Sequence, residues 1–158
     1  MTEVPSTAAG QEEQSAKARR ALERVCARGD FDAAPELYRL DFVDHVNGME
    51  FHGHAGIRES VGTYRAIFPD LRIDVRDQVT DDDVVASRWT MHGTHRGRQV
   101  TLEGITISRF VEGKIAEDWT ASDTLDLVRQ LGLRRSAILG LRQLAGRLSR
   151  REKRSARA

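Results

Sequence analysis

Hydrophobic positions recur along this chain at two different periods, and the change falls near residue 70. Ala18, Ala21, Leu22, Val25 and Cys26 return at intervals of three and four with charges opposite them, and Gly29 follows. This spacing predicts a helix over Ala16 to Arg28 with a glycine stop. Asp30 is placed to cap a second helix, Phe31 to Tyr38, with Pro35 near its first turn. Asp41 to Asn47 reads as a short strand running into a loop at Gly48. A third helix is expected from Ile57 to Ile67, ended by Phe68-Pro69-Asp70. Beyond that point the period is two. Leu71, Ile73 and Val75 alternate, and strands are expected at Leu71 to Val79, Val84 to His92, Gln99 to Phe110 and Ile115 to Ser122. Asp81-Asp82-Asp83 and Val111-Glu112-Gly113-Lys114 read as turns between them. Asp123 or Thr124 caps a short helix, Leu125 to Leu131, closed by Gly132.

Helices first and an antiparallel meander afterwards make the chain α+β, with the helices on one face of a curved sheet. Met1 to Ser15, rich in Ser, Thr, Glu and Gln, is expected to be disordered, leaving one domain over residues 16–132. After it, Leu133, Ala137, Ile138, Leu141, Leu144, Ala145 and Leu148 form an apolar stripe, and Arg134, Arg135, Arg142, Arg147 and Arg150 lie largely off it. Residues 133–158 therefore read as a basic amphipathic helical tail.

Charge sharpens that division. The net charge of +1 conceals a tail with nine Lys and Arg against one acid, and a body with sixteen against twenty-three. The tail suits the acidic body, a second subunit or an anionic surface. Nucleic acid is disfavoured because the tail offers no aromatic ring to stack on a base. A single cysteine, Cys26, excludes a disulfide framework and a multi-thiolate zinc site. With no signal-peptide pattern over Met1 to Ala18, the reading is cytoplasmic. His92-x-x-His95, His52-x-His54 and the three consecutive aspartates lack the third ligand that a metal site needs, so no metal and no cofactor are expected. Neither a phosphate-cradling glycine loop nor a Gly-x-Ser-x-Gly elbow occurs.

Strand alternation sorts the chemistry. Asp118, Thr120 and Ser122 share one face of the last strand; Thr106 and Ser108 share one on the strand before; Arg88, Thr90 and His92 share one on the second; His45 and Asn47 share one on the short strand. If these faces all turn inward, a pocket holds one carboxylate, one guanidinium, two imidazoles and several hydroxyls. Asp118 is then the expected general base, its pKa raised by an apolar surround. Arg88 would hold Asp118 or stabilise an oxyanion, and His92 would relay protons. His45, Asn47, Thr90, Thr106 and Thr120 would bind the substrate. Trp89 and Trp119 are expected in the core or at a subunit contact.

Five phrases, in order, resemble the SnoaL-like polyketide cyclases of the ketosteroid isomerase and nuclear transport factor 2-like superfamily. They are Phe42-Val43-Asp44-His45, Ala66-Ile67-Phe68-Pro69-Asp70-Leu71, Gly93-Thr94-His95-Arg96-Gly97, Ser108 to Ile115, and Asp123-Thr124-Leu125 with Gln130-Leu131-Gly132. The resemblance implies a cone-shaped α+β barrel over a deep apolar pocket. It also implies cofactor-free acid–base ring closure of a hydrophobic polyketide-like intermediate, and a homodimer formed through the outer sheet face. Epoxide opening, with Arg88, Asp118, His45 and Asn47 resembling the layout of limonene epoxide hydrolase, and non-catalytic ligand binding or protein interaction are the alternatives on the same fold. Two departures matter. Gly97-Arg98-Gln99 omits a longer loop that many members carry. Where aldol-type members commonly read Glu-His-Trp-Asp, this chain reads Glu117-Asp118-Trp119-Thr120, so the carboxylate stands two residues earlier.

Overall fold

Six strands hydrogen-bond in the order β2-β1-β6-β5-β4-β3, where β1 is Tyr38–Val46, β2 Met49–His52, β3 Arg72–Asp81, β4 Val84–His95, β5 Arg98–Val111 and β6 Lys114–Ser122. The computed structural model describes residues 7–132, so the basic tail lies outside the described residues. The chain divides into two units, one ending at Asp123 and one beginning at Thr124. The α+β class holds, with one correction to the sheet. It is mixed rather than wholly antiparallel, because β1 lies parallel to β6. Hairpin reversal governs only neighbours in sequence, as in the β3-β4-β5-β6 meander. β1 reaches β6 only after a helix has carried the chain to the far edge.

That helix is α3, Gly53–Ile67, and it starts four residues ahead of the expected Ile57. The first helix, α1 (Ala8–Arg20), begins well before Ala16. Thr7 caps it by accepting a hydrogen bond from the Gly10 amide at 3.2 Å, and Glu13 pairs with Lys17 at 2.7 Å. The Ala, Glu and Gln that give this stretch a disordered composition are also good helix formers once a cap exists. α1 widens into a π-helical turn over Ala21–Cys26, with the Ala27 amide donating to Leu22 O at 2.9 Å. The expected second helix is shorter, a 3-10 turn (Phe31–Ala33) leading into α2, Ala34–Leu37, and Tyr38 already belongs to β1.

β2 was not expected. Asn47 and Gly48 both take positive φ, at 48° and 80°, which is the two-residue hairpin geometry that turns β1 back on itself. Arg96-Gly97 and Glu112-Gly113 make the same turn between β4 and β5 and between β5 and β6. The β4–β5 hairpin therefore carries no long loop.

β5 is the clearest strand. Val100, Leu102, Gly104, Thr106, Ser108 and Phe110 are buried while the residues between them are exposed or half-buried. Irregularities reset this alternation elsewhere. Arg76 is an extra residue between the Val75–Trp89 and Asp77–Arg88 pairs, so the inward parity of β3 changes there. Ala116 does the same on β6, between Ile115 and Glu117. The core gathers Ala18, Ala21 and Val25 with Leu37, Tyr38, Phe42, Ile57, Val61, Val85, Phe110 and Ile115. None of the described helices is long and apolar enough to cross a membrane. In the second unit, α4 (Thr124–Leu131) ends with Gly132 at φ 81°, whose amide donates to Val128 O at 3.1 Å.

Gly104 faces Trp89 in the β4–β5 register, and a Cβ there would fall inside the outer edge of the indole ring. Gly104→Ala should therefore cost about 1–3 kcal/mol of stability, as overpacking does. Denaturant unfolding of the variant against the parent checks this, and equal midpoints would show that the indole has room to move.

Candidate active site

A cavity of about 730 Å³, counted to its open mouth, lies on the inner face of the sheet. Leu22 and Cys26 reach it from the π-helical turn, and Ile57, Ser60, Val61 and Tyr64 from α3. Tyr38, Phe42, Asp44 and Val46 come from β1, Trp89 and Met91 from β4, and Asp118, Thr120 and Ser122 from β6. Its walls are mostly aliphatic and aromatic, and the charged residue types among the lining are two carboxyls, Asp44 and Asp118. Among the described residues, no lysine, arginine or histidine lines it.

The two carboxyls belong together. Asp44 and Asp118 are register partners across the parallel β1–β6 ladder, and Ser108 is the partner of Asp118 on the other side. Asp118 is only 7% exposed, and its Oδ1 is buried without a hydrogen-bond partner. Burial raises its pKa well above the ordinary carboxylate value. The charge of Asp44 adds to the rise, and a hydrogen bond from Ser108 opposes it. Asp44 is raised from its ordinary 3.8 to about 6, chiefly by burial, against a hydrogen bond that Ser60 Oγ donates to Oδ2 at 3.1 Å. Two neighbouring carboxyls in an apolar surround do not both ionise readily, so Asp44 carries the charge first and Asp118 keeps its proton. At the same end, burial pushes the Cys26 thiol up to about 12 and the Tyr38 phenol well up, and both acids add to the effect. Cys26 and Tyr38 are thus neutral groups 4.0 Å apart.

Two residues farther along β6 stands a different group. Trp89 Nε1 donates to Thr106 Oγ1 at 3.0 Å, and Thr106 Oγ1 lies 3.0 Å from Thr120 Oγ1. Beyond it, Asn47 donates through Nδ2 to Ser122 Oγ at 3.0 Å and to the Tyr64 hydroxyl at 3.3 Å, while its Oδ1 accepts from the Ser122 amide at 3.1 Å. Asn47 therefore braces two wall residues without lining the cavity itself.

The expected inward set is redistributed. Asp118, Thr106 and Thr120 face the cavity. Arg88, Thr90 and His92 do not, because Trp89 and Met91 take the inward positions of β4. Arg88 lies outside and pairs with Asp77 through Nε at 3.1 Å; Thr90 accepts from Arg76 Nε at 3.0 Å; His92 Nε2 lies 3.2 Å from Asp74 Oδ2. His45 also points outward. It stacks on Trp119 with ring centroids 5.6 Å apart and bonds Glu117 Oε1 at 2.9 Å. Trp89, expected in the core or at a subunit contact, is a cavity wall. Asp44, Ser60, Tyr38 and Tyr64 had no expected role. The signal for Asp44 was present in Phe42 and Val46, apolar two residues to either side, which set the inward parity of β1.

A family model for SnoaL-like polyketide cyclases matches residues 16–131. Among solved structures, a candidate polyketide cyclase from Bacillus cereus ATCC 10987 aligns at a TM-score of 0.69 and 29% identity, covering 77% of this chain and 81% of that one. Wild-type IdmH, a candidate polyketide cyclase from Streptomyces antibioticus, aligns at 0.68 and 28% identity, covering 75% of this chain and 98% of that one. AclR, a candidate hydroxylase from Streptomyces galilaeus, aligns at 0.66 and 24% identity over 77% of this chain and 97% of its own, a likeness of fold alone. No curated protein matches the chain.

Burying Asp44 ties stability to pH. Its folded pKa is raised, so the stability it contributes is present below 3.8 and is lost as pH rises through about 6. Asp44→Asn should match the parent near the low end of that window and exceed it by about 2–3 kcal/mol at neutral pH. Urea unfolding of both proteins across the window checks this. A difference that does not grow with pH would mean Asp44 is solvated.

Proposed function

The chain belongs to the SnoaL-like polyketide cyclase family, and from that premise we propose that it closes a ring on a neutral, hydrophobic polyketide-like ketone by acid–base catalysis. The observation that carries this reading is the Asp44–Asp118 pair, two carboxyls in register inside an apolar cavity with their proton affinities set apart by position. Groups separated in this way assign themselves, the one that ionises first as base and the one that keeps its proton as acid.

Asp44, as carboxylate, takes a proton from a carbon beside a carbonyl. The resulting enolate carbon adds to a second carbonyl of the same molecule and forms the new carbon–carbon bond. Asp118 gives its proton to the oxygen that becomes the alcohol. The proton on Asp44 then returns to Asp118 between the two neighbouring strands, and the site is reset. Holding both reacting carbons in one apolar cavity supplies the proximity that an intramolecular addition requires. This assigns Asp118 the acid role in place of the base role expected from the sequence. An anionic ligand would meet Asp44 with no lysine, arginine or histidine among the described lining residues to offset it, which supports a neutral substrate.

Epoxide opening drew on Arg88 beside Asp118. With Arg88 on the opposite face and paired to Asp77, that reading loses its support. The homodimer keeps its support in the outer face, where Ile105, Ile107 and Trp119 are 47%, 40% and 40% exposed. Ile107→Glu should shift a dimer to monomer in light scattering, and a parent protein that is itself monomeric would end that part of the proposal.

The enolisation step can be read without knowing the natural substrate. The protein should speed exchange of the protons beside the carbonyl of a hydroxytetralone into heavy water, followed by NMR. Asp44→Asn and Asp118→Asn should each lower that rate by roughly a hundred- to ten-thousandfold. The parent rate should rise with pH through about 6 as Asp44 ionises and fall at higher pH as Asp118 loses its proton. Exchange by the parent no faster than in buffer, with binding retained, would make the domain a binder and not an enzyme.

A further inference from the structure

Trp89, Thr106 and Thr120 form a chain whose hydrogens can be counted. The indole N–H is only a donor, and it occupies a lone pair of Thr106 Oγ1 at 3.0 Å. The two hydroxyls, 3.0 Å apart, bring two hydrogens between them and use one in their mutual bond. One hydrogen is left over in either orientation. Were Thr120 to donate to Thr106, the leftover hydrogen would sit on Thr106, which is 2% exposed and has no further acceptor among the described residues. A buried hydrogen without an acceptor is costly, so Thr106 donates to Thr120. The Thr120 hydroxyl then faces the cavity as a donor, strengthened by the two bonds behind it. Trp89 occupies one lone pair of Thr106 and so favours the orientation in which Thr120 keeps its hydrogen for the cavity, and Gly104, lying under the indole, lets Trp89 take that place.

This donor stands at a fixed step from the carboxyl pair. Thr120 and Asp118 are two residues apart on one face of β6, about 7 Å at strand rise. Thr106 and Ser108 repeat the step on β5, as the Thr106–Thr120 and Ser108–Asp118 register pairs show. The cavity thus offers two polar stations along an apolar wall, one that exchanges protons and one that gives a hydrogen bond.

We propose that Thr120, oriented by Trp89 and Thr106, is a specificity-determining donor that binds a second, non-reacting carbonyl oxygen of the substrate, about two strand residues from the atom that exchanges its proton at the Asp44–Asp118 pair. The substrate class is therefore a neutral, flat scaffold of at least two rings or their open-chain equivalent, oxygenated at both ends. The proposal rests on the reading of this cavity as the substrate site, but not on turnover, so it is tested by binding.

The chain has two tryptophans, and Trp119 lies on the outer face. In a Trp119→Phe background, Trp89 emission reports the cavity alone. Two probes are titrated, decalin-1,5-dione, which carries a carbonyl on each ring, and 1-decalone, which lacks the second carbonyl. The dione should bind roughly five- to tenfold more tightly, the worth of one hydrogen bond to a positioned donor. Thr120→Val should bring the two affinities together, and Thr120→Ser should restore the preference. Thr106→Val and Trp89→Phe (the latter read by calorimetry) should reduce it, because each removes part of the chain that orients the donor. A carbonyl preference that survives Thr120→Val overturns the proposal while leaving the cavity reading intact. No response of Trp89 to either probe at millimolar concentration overturns both.

Discussion

Removing a carboxyl from water is costly unless its charge is paired, and this protein does so twice on adjacent strands with no lysine, arginine or histidine among the described residues that line the cavity. Much else in the site depends on how that cost is met. Asp44 keeps a hydrogen bond from Ser60 and remains the more easily ionised of the two. Asp118 is deeper, and the cheaper state for it is neutral. A neutral acid beside a charged base is an unequal pair made from identical side chains, and the inequality comes from position alone. Cys26 and Tyr38, pressed against the same acids, are driven further toward their neutral forms, so the deep end of the cavity carries a single negative charge at neutral pH.

The same constraint explains the architecture around the pair. A parallel β1–β6 contact sets Asp44 beside Asp118, and an all-antiparallel meander would not have brought β1 there. The extra residue at Ala116 turns Asp118, Thr120 and Ser122 to the inner face after Ile115 has already pointed into the core. The widened π-helical turn at Ala21–Cys26 brings Leu22 and Cys26 onto the cavity, a use to which such turns are often put. Each of these irregularities costs ladder or helix regularity, and each places a wall residue.

These irregularities also mark where the sequence was legible and where it was not. β5 alternates without interruption, and that pattern alone puts Thr106 on the inward face. Asp118 and Thr120 lie beyond the Ala116 irregularity but keep one parity to the strand's end. On β4 and β1 the polar residues Arg88, His92 and His45 suggest one inward face. The apolar partners, Trp89 and Met91 on one strand and Phe42 and Val46 on the other, set the opposite parity and prevailed, because burial of apolar area outweighs the convenience of a polar cluster. The Asn47-Gly48 pair is a hairpin signal in the sequence, and β2 is the strand it returns. The parallel β1–β6 contact joins residues more than seventy apart in sequence, and no local pattern announces it.

Thr120 shows how the two departures from the family's phrase are linked. A carboxyl at 120 would accept the hydrogen that Thr106 donates, and would stand two residues from the acidic pair along the same wall. A third acid there would raise the proton affinity of all three and narrow the separation between Asp44 and Asp118. With the carboxyl at 118, it meets Asp44 across the ladder and Ser108 on the other side. Position 120 is then free for a hydroxyl that donates. On the proposed reading, Asp118-Trp119-Thr120 is one rearrangement of the family's phrase, with proton transfer assigned to 118 and recognition to 120.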